Sequence, residues 1–196
     1  MRRDLVMGVF FLCLGLFGIF VHLFEGTWQY LFWFSNHLAL LLALGFFLRN
    51  KFIFSYAFVL GILPELAWVI DFLIQIAGGQ FLGISDYMFV PGYPRLLFFL
   101  ALQHGVNLLG ILYGIKRFGF HQKAWIGGLV HGIAIWILGF FLSTELNVNC
   151  SWQNCMAGLQ ISNTAWQIAW PLFMIMQIFV VYCCAKFLFR ASVKTV

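Results

Sequence analysis

The chain predicts an all-α polytopic membrane protein, a bundle of six helices, and three observations carry that expectation. Its 196 residues are 63% hydrophobic and only 9% charged, a balance that would leave a soluble domain without a hydrated surface. The mean hydropathy is +0.97. Six apolar stretches, residues 5–24, 28–48, 52–76, 95–115, 124–142 and 166–189, come close to or exceed the roughly 20 residues that a spanning helix needs. The loops between them are short, so residues 1–196 are expected to form a single six-helix transmembrane domain.

The first stretch follows Met1-Arg2-Arg3-Asp4, as a signal peptide would. It is nevertheless of full spanning length and ends in VHLFEG, without a small-x-small cleavage site, so it is expected to stay as a helix. Gly15 and Gly18 suit it to close helix packing. The second stretch enters from the opposite side through FWFSNH. The third carries Pro64, which removes one backbone hydrogen bond, followed by Glu65 and Asp71. The fourth is RLLFFLALQHGVNLLGILYGI, with His104 and Asn107 one turn apart. The fifth holds His131 between Gly128 and Gly132. The sixth is apolar and ends in Lys186 and Arg190.

Charge sets the expected orientation. Arg2, Arg3, Arg49, Lys51, Lys116, Arg117, Lys123, Lys186, Arg190 and Lys194 fall on one side of a six-span chain, and only Arg95 on the other. The positive-inside bias then makes both termini cytoplasmic. The net charge of +5 follows from this asymmetry and from contact with anionic lipid. It gives no reason to expect nucleic acid as a partner. Membrane lipids are the expected partners, and a homo- or hetero-oligomer is left open.

The other side receives Glu25, Asp86, Glu145 and two longer loops. The first, GGQFLGISDYMFVPGYP, reads as an ordered lid or re-entrant stretch. The second carries Cys150 and Cys155, which either pair in a small disulfide loop or stay as free thiols. Asn149-Cys150-Ser151 is a formal glycosylation sequon.

The chemistry of the chain lies inside the apolar stretches. A polar or ionisable side chain at that depth has lost its water and needs a partner or a function. At 1.5 Å rise per residue, Asn36, His37, Asp71 and His104 are expected to share one layer. Glu65, Asn107 and His131 are expected to share a deeper one. A buried histidine with an acid partner and a hydroxyl is the arrangement that activates a nucleophile. Ser35 is the serine at the right depth. The candidate catalytic residues are therefore Ser35, His104 and Asp71, with Glu65 an alternative to Asp71 for orienting His104. Asn36, His37, Glu65, Asn107 and His131 are the candidate substrate-contacting residues, with Asn36 or Asn107 available to stabilise an oxyanion. His22 is expected to snorkel at the interface. Metal coordination by His37, His104 and His131 with Glu65 or Asp71 in a tetrahedral site is a rival reading. The buried residues have neither HxxxH nor HxxE spacing, so neither a metal nor another cofactor is expected.

Several segments, FWFSNHLALLLALGFFLRN, PELAWVIDFL, the run from DYMFVPGYPRLLFF to KRFGFHQKAW, and LNVNCSW, resemble uncharacterised bacterial integral membrane proteins with six helices. More distantly they resemble the YwaF-like proteins, the eukaryotic transmembrane acyltransferase related to them, and the androgen-induced membrane hydrolases of fatty-acid esters. The resemblance covers roughly residues 29 to 152. It implies a bacterial inner-membrane location and lipid or acyl-ester hydrolysis or acyl transfer. Those relatives pair a helix-borne Thr or Cys with a histidine two helices later. His104 matches that histidine by position. Ser35 stands where the nucleophile is expected, with Asn36 the alternative register. The competing class is a non-enzymatic carrier, lipid-binding protein or complex subunit.

Overall fold

The computed structural model describes residues 2–142, 147, 150–156 and 159–189. Among these residues the chain is helical and has no strand. Glu145, Asn149, Arg190 and Lys194 lie outside the described residues.

Helix α1 (Arg2–Phe24) runs into a 3-10 turn (Trp28–Phe32) and then α2 (Phe34–Leu48). Helix α3 (Lys51–Ile76) follows after a two-residue corner. The loop 77–94, which contains a second 3-10 turn (Asp86–Phe89), leads into α4 (Arg95–Ala101) and α5 (Gln103–Phe118). The last two helices are α6 (Ala124–Leu142) and α7 (Asn163–Leu188). Five helical segments are long and apolar enough to cross a membrane: α1, α3, α4 and α5 taken together, α6 and α7.

The second expected span differs. Its α-helix has 15 residues, about 22 Å at 1.5 Å per residue. The reason is local. Trp33 is extended (φ −67, ψ 136), and the Asn36 side-chain amide donates to the Tyr30 carbonyl at 2.6 Å. An asparagine that captures nearby backbone in this way competes with helix formation. The fourth span is interrupted for one residue at Leu102 between α4 and α5.

Helix α3 is the centre of the bundle, packing against α2, α5, α6 and α7, while α1 packs chiefly on α2. The corner between α2 and α3 places Arg49 in the left-handed region (φ 50). The next residue, Asn50, caps α3 by accepting from the Phe52 N–H at 2.9 Å. At this end Asp4 meets Arg117 Nε at 3.2 Å and Arg49 Nη2 at 3.3 Å, joining α1, the corner and α5. We call it the basic end and the other the lid end.

Near the basic end the core is a run of phenylalanine rings. Phe11 stacks on Phe46 at 5.7 Å, Phe46 meets Phe54 edge-on at 4.7 Å, and Phe54 stacks on Phe118 at 5.1 Å. Gly110 and Gly114 of α5 make room for them. A Cβ on Gly110 would overlap the Phe11 ring, and one on Gly114 the Phe54 ring, so either ring would have to shift. The exterior is apolar, with Phe141, Phe187 and Leu109 among its most exposed side chains. A soluble monomer rarely exposes apolar surface on this scale. The surface and the long helices are compatible with an integral membrane protein.

Candidate functional site

The lid is built by one aspartate. Asp71 Oδ1 accepts from the backbone N–H of Leu82 at 2.6 Å and of Gly83 at 2.9 Å. Its Oδ2 accepts from Ser85 N at 2.8 Å and Ser85 Oγ at 2.7 Å. A buried carboxylate in a span needs such donors, and these come from loop backbone that needs acceptors. The loop is thereby folded back over the end of the bundle, as the expectation of an ordered lid has it. Asp71 is consequently not the group on His104, and it does not line the cavity below.

That cavity has a volume of about 690 Å³ and a largely apolar wall. Leu60, Glu65 and Trp68 of α3, His104 of α5, Trp136 of α6 and Met174 of α7 all face it. Tyr87 and Tyr93 of the lid and the disulfide of Cys150 with Cys155 contribute to its wall. The two cysteines, left open by the sequence, are paired.

In the wall, His104 Nδ1 lies 2.8 Å from Glu65 Oε2. A carboxylate accepts, so Nδ1–H donates to it. Glu65 is 1% exposed. Trp68 stacks on the imidazole at 4.2 Å between centroids and donates through Nε1 to the Tyr87 hydroxyl at 3.2 Å. The dyad is thus braced from α3 and from the lid. Burial pushes the Tyr87 hydroxyl up to about 12, which keeps it neutral at physiological pH.

A second polar chain reaches the cavity from α1. Tyr30 O fixes which end of the Asn36 amide is nitrogen. The same nitrogen donates to His22 Nε2 at 3.0 Å, so His22 carries its proton on Nδ1 and meets Thr27 Oγ1 at 2.9 Å. Asn36 Oδ1 accepts from Gln103 Nε2. His22 is therefore buried and locked, in place of the expected snorkelling. A third element compensates Pro64. The proline has no N–H for the carbonyl four residues back, which is that of Leu60. Gln177 Nε2 of α7 supplies the missing donor at 3.0 Å.

The two expected layers are not the observed grouping. Glu65 joins His104 across them. Ser35 lines the cavity and is buried, but among the described residues no hydrogen bond joins its hydroxyl to His104. Asn107, fully buried, donates to the Ser35 carbonyl at 3.0 Å and does not line the cavity. His37 and His131 also lie away from its wall, stacked on each other at 5.7 Å, with Tyr56 near His131. Depth along each helix was a poor guide because α2 starts late and the fourth span is interrupted. Among the described residues no group of three or more His, Cys, Asp or Glu side chains is arranged to hold a metal ion.

Gln103, Gln177, Trp68, Tyr87 and His22 are site residues that the sequence reading missed. One signal was available for Gln177: a proline inside a span leaves a carbonyl that a neighbouring helix must satisfy. Comparison with known protein families, curated proteins and solved structures gives no significant match.

Proposed function

We propose that this chain is an integral membrane protein that holds a lipid in the cavity and cleaves or transfers its acyl ester, with His104 as general base. The observation that carries the reading is the His104–Glu65 contact at 2.8 Å in the wall of a 690 Å³ cavity. A carboxylate on Nδ1 orients the imidazole and stabilises the imidazolium that forms during proton transfer. His104 Nε2 removes the proton from an attacking hydroxyl, the oxygen adds to the ester carbonyl, and the imidazolium returns the proton to the leaving alkoxide. The attacking hydroxyl is that of Ser35 or of water. A cavity of this volume is of the size that binds small ligands.

In this reading α2 together with the turn before it completes a sixth crossing, and the basic end faces the cytoplasm. The one-sided distribution of Lys and Arg supports that orientation. The disulfide at the opposite end supports it too, since disulfides persist on the oxidising side. The bacterial inner membrane is the membrane we assign. Reporter fusions after residues 50 and 120 should read cytoplasmic, and an external signal at either would overturn the orientation.

The enzymatic test is turnover of a panel of acyl-ester lipids by the detergent-purified chain. Glu65→Gln should reduce it about 10²-fold or more while the protein stays folded. If Ser35→Ala keeps full rate, water is the nucleophile. A chain that binds ester lipids without releasing fatty acid is a lipid-binding protein. That second reading is favoured by the missing hydrogen bond between Ser35 and His104.

A further inference from the structure

The outer surface of the basic end carries a groove of its own, remote from the cavity. It runs between α1 and α5 and is lined on one side by Arg2, Arg3, Val6 and Phe10, and on the other by Leu109 and Tyr113. The helices leave this space because α1 packs chiefly on α2. It reaches α5 through the Asp4–Arg117 pair and through the Phe11 ring over Gly110. From Arg2 to Phe11 is nine residues, about 13 Å along the helix. That is close to half of a hydrocarbon core roughly 30 Å thick, the depth of one leaflet.

Polarity changes along that depth. The mouth is cationic. Below it Val6, Phe10 and Leu109 are exposed and apolar. The charge at the mouth is not offset by the protein. Asp4 is buried and engaged by Arg117 and Arg49, and the basic end holds no other Asp or Glu among the described residues. Arg2 and Arg3 are exposed, and among the described residues neither is held by a hydrogen bond or an ion pair. Both lie in the first turn of α1, where the positive end of the helix dipole also favours an anion. A ligand that complements the groove therefore has an anionic head joined to an apolar chain.

We propose that the α1–α5 groove binds an anionic phospholipid of the phosphatidylglycerol type, with its phosphate on Arg2 and Arg3 and one acyl chain along Val6, Phe10 and Leu109. The site needs the chain to lie in a membrane, and it is independent of what the cavity holds or does. It also differs from the general attraction of basic residues to an anionic leaflet. Lys116 and Lys123 are exposed near the same end but do not line the groove, and they take no part.

The test is photolabelling of the full chain in detergent by a phosphatidylglycerol that carries a diazirine midway along one acyl chain, followed by sequencing of the labelled peptides. Label should fall on α1 before Leu12 and on α5 between Val106 and Tyr113. Label spread over α6 and α7 instead overturns the inference. Unlabelled phosphatidylglycerol should compete at least about tenfold better than phosphatidylcholine with the same chains, as expected for two arginines beside an anionic head. Parity between the two lipids overturns it. Glycerol 3-phosphate, which has the phosphate and no chain, should not compete. If it competes as well as the lipid, the ligand is a free phosphate ester and the lipid site falls. Arg2→Gln with Arg3→Gln should abolish the preference for phosphatidylglycerol. Lys116→Gln with Lys123→Gln removes the same charge and should keep it. Equal loss in the two double variants would mean diffuse attraction in place of a site. Val6→Trp fills the groove and should weaken both lipids about tenfold, and unchanged labelling would remove the acyl chain from the groove. The lipid comparison needs no variant, so a misfolded mutant leaves the test decisive.

Discussion

At the basic end, glycines bring the helices together and phenylalanine rings fill what is left. At the lid end, the same helices stand around a cavity of about 690 Å³. The backbone architecture is shared, since α3, α5, α6 and α7 run through both halves. The difference is in what the side chains do. Toward the basic end Gly110 and Gly114 of α5 receive Phe11 and Phe54, and the rings stack in sequence from α1 to the end of α5. One turn or two nearer the lid, α5 presents Asn107, His104 and Gln103, each tied by a hydrogen bond to another helix. Polar groups that must keep a set geometry in a low-dielectric interior hold their helices at fixed separations. Space persists among them because the bonds, and not ring packing, determine the spacing. The comparison teaches that one helical bundle can be hollow at one end, where hydrogen bonds set the spacing, and full at the other, where rings pack.

The largest expected effect separates function from packing. His104→Gln keeps a donor for Glu65 and removes the base. Turnover of an ester lipid should fall about 10²- to 10⁴-fold, with an unchanged melting temperature in detergent. A fall in melting temperature that parallels the loss of rate would make His104 a packing residue like Phe54.

The second prediction concerns the roof of the hollow half. Asp71→Ala leaves the backbone N–H groups of Leu82, Gly83 and Ser85 without their acceptor, while the Ser85 hydroxyl keeps Gln75 Oε1 at 2.9 Å. At about 1–3 kcal/mol for each unsatisfied group and with partial relaxation, loss of roughly 3 kcal/mol of local stability is expected. Hydrogen exchange at Leu82, Gly83 and Ser85 should accelerate about 100-fold, while α5 near Gly114 stays protected. Uniform acceleration along the chain would show that the two halves do not open separately.

The third is a matched pair. Gly114→Ala adds one methyl to the full half. The gain in helix propensity is about 1 kcal/mol. Overpacking against Phe54 costs about 1–3 kcal/mol and should win, lowering the unfolding midpoint. Ala67→Leu adds three carbons facing the cavity. It should change stability by less than about 0.5 kcal/mol and block ligand binding. Equal sensitivity at the two positions would remove the distinction between full and hollow ends.

The smallest effect lies at the turn between α5 and α6. Burial, then the charges of Lys51 and Lys123, hold His121 below its ordinary value of 6.5. The unfolded chain therefore binds the proton more readily, and stability contributed by the neutral ring is full above pH 6.5 and declines below it. A thermal scan from pH 7.5 to 5 should show a slight fall in melting temperature that His121→Asn reduces. A rise on acidification would reverse the sign of this argument.

Much of this fold is legible in the sequence, because apolar runs of spanning length have few other uses. Five helical segments follow the expected spans closely. The late start of α2 was hidden because aromatic residues 28–34 are as apolar as any helix, and the determinant is one hydrogen bond from Asn36 to Tyr30. At the candidate site, the need of Glu65 and His104 for partners could be read from depth. Glu65 was one of the two acids read as orienting His104, but depth could not choose it over Asp71, since a rise of 1.5 Å per residue assumes straight helices perpendicular to the membrane. Asp71 illustrates the same limit. Its burial called for donors, but sequence spacing did not reveal that a loop 11 to 14 residues on would supply them. The pairing of Cys150 with Cys155 needed the structure to decide it.

The bond between Gln177 and the Leu60 carbonyl spans 117 residues, and this has a consequence for biosynthesis. Helix α3 leaves the ribosome long before α7 does. Until α7 arrives, the carbonyl released by Pro64 has no donor in hydrocarbon, a state that costs several kcal/mol in a bilayer core. Nascent chains that stop before Asn163 should therefore be held by the insertion machinery or degraded, and release should coincide with the appearance of Gln177. The cavity wall closes in that same step, so the protein cannot take up its occupant before its synthesis has passed this point.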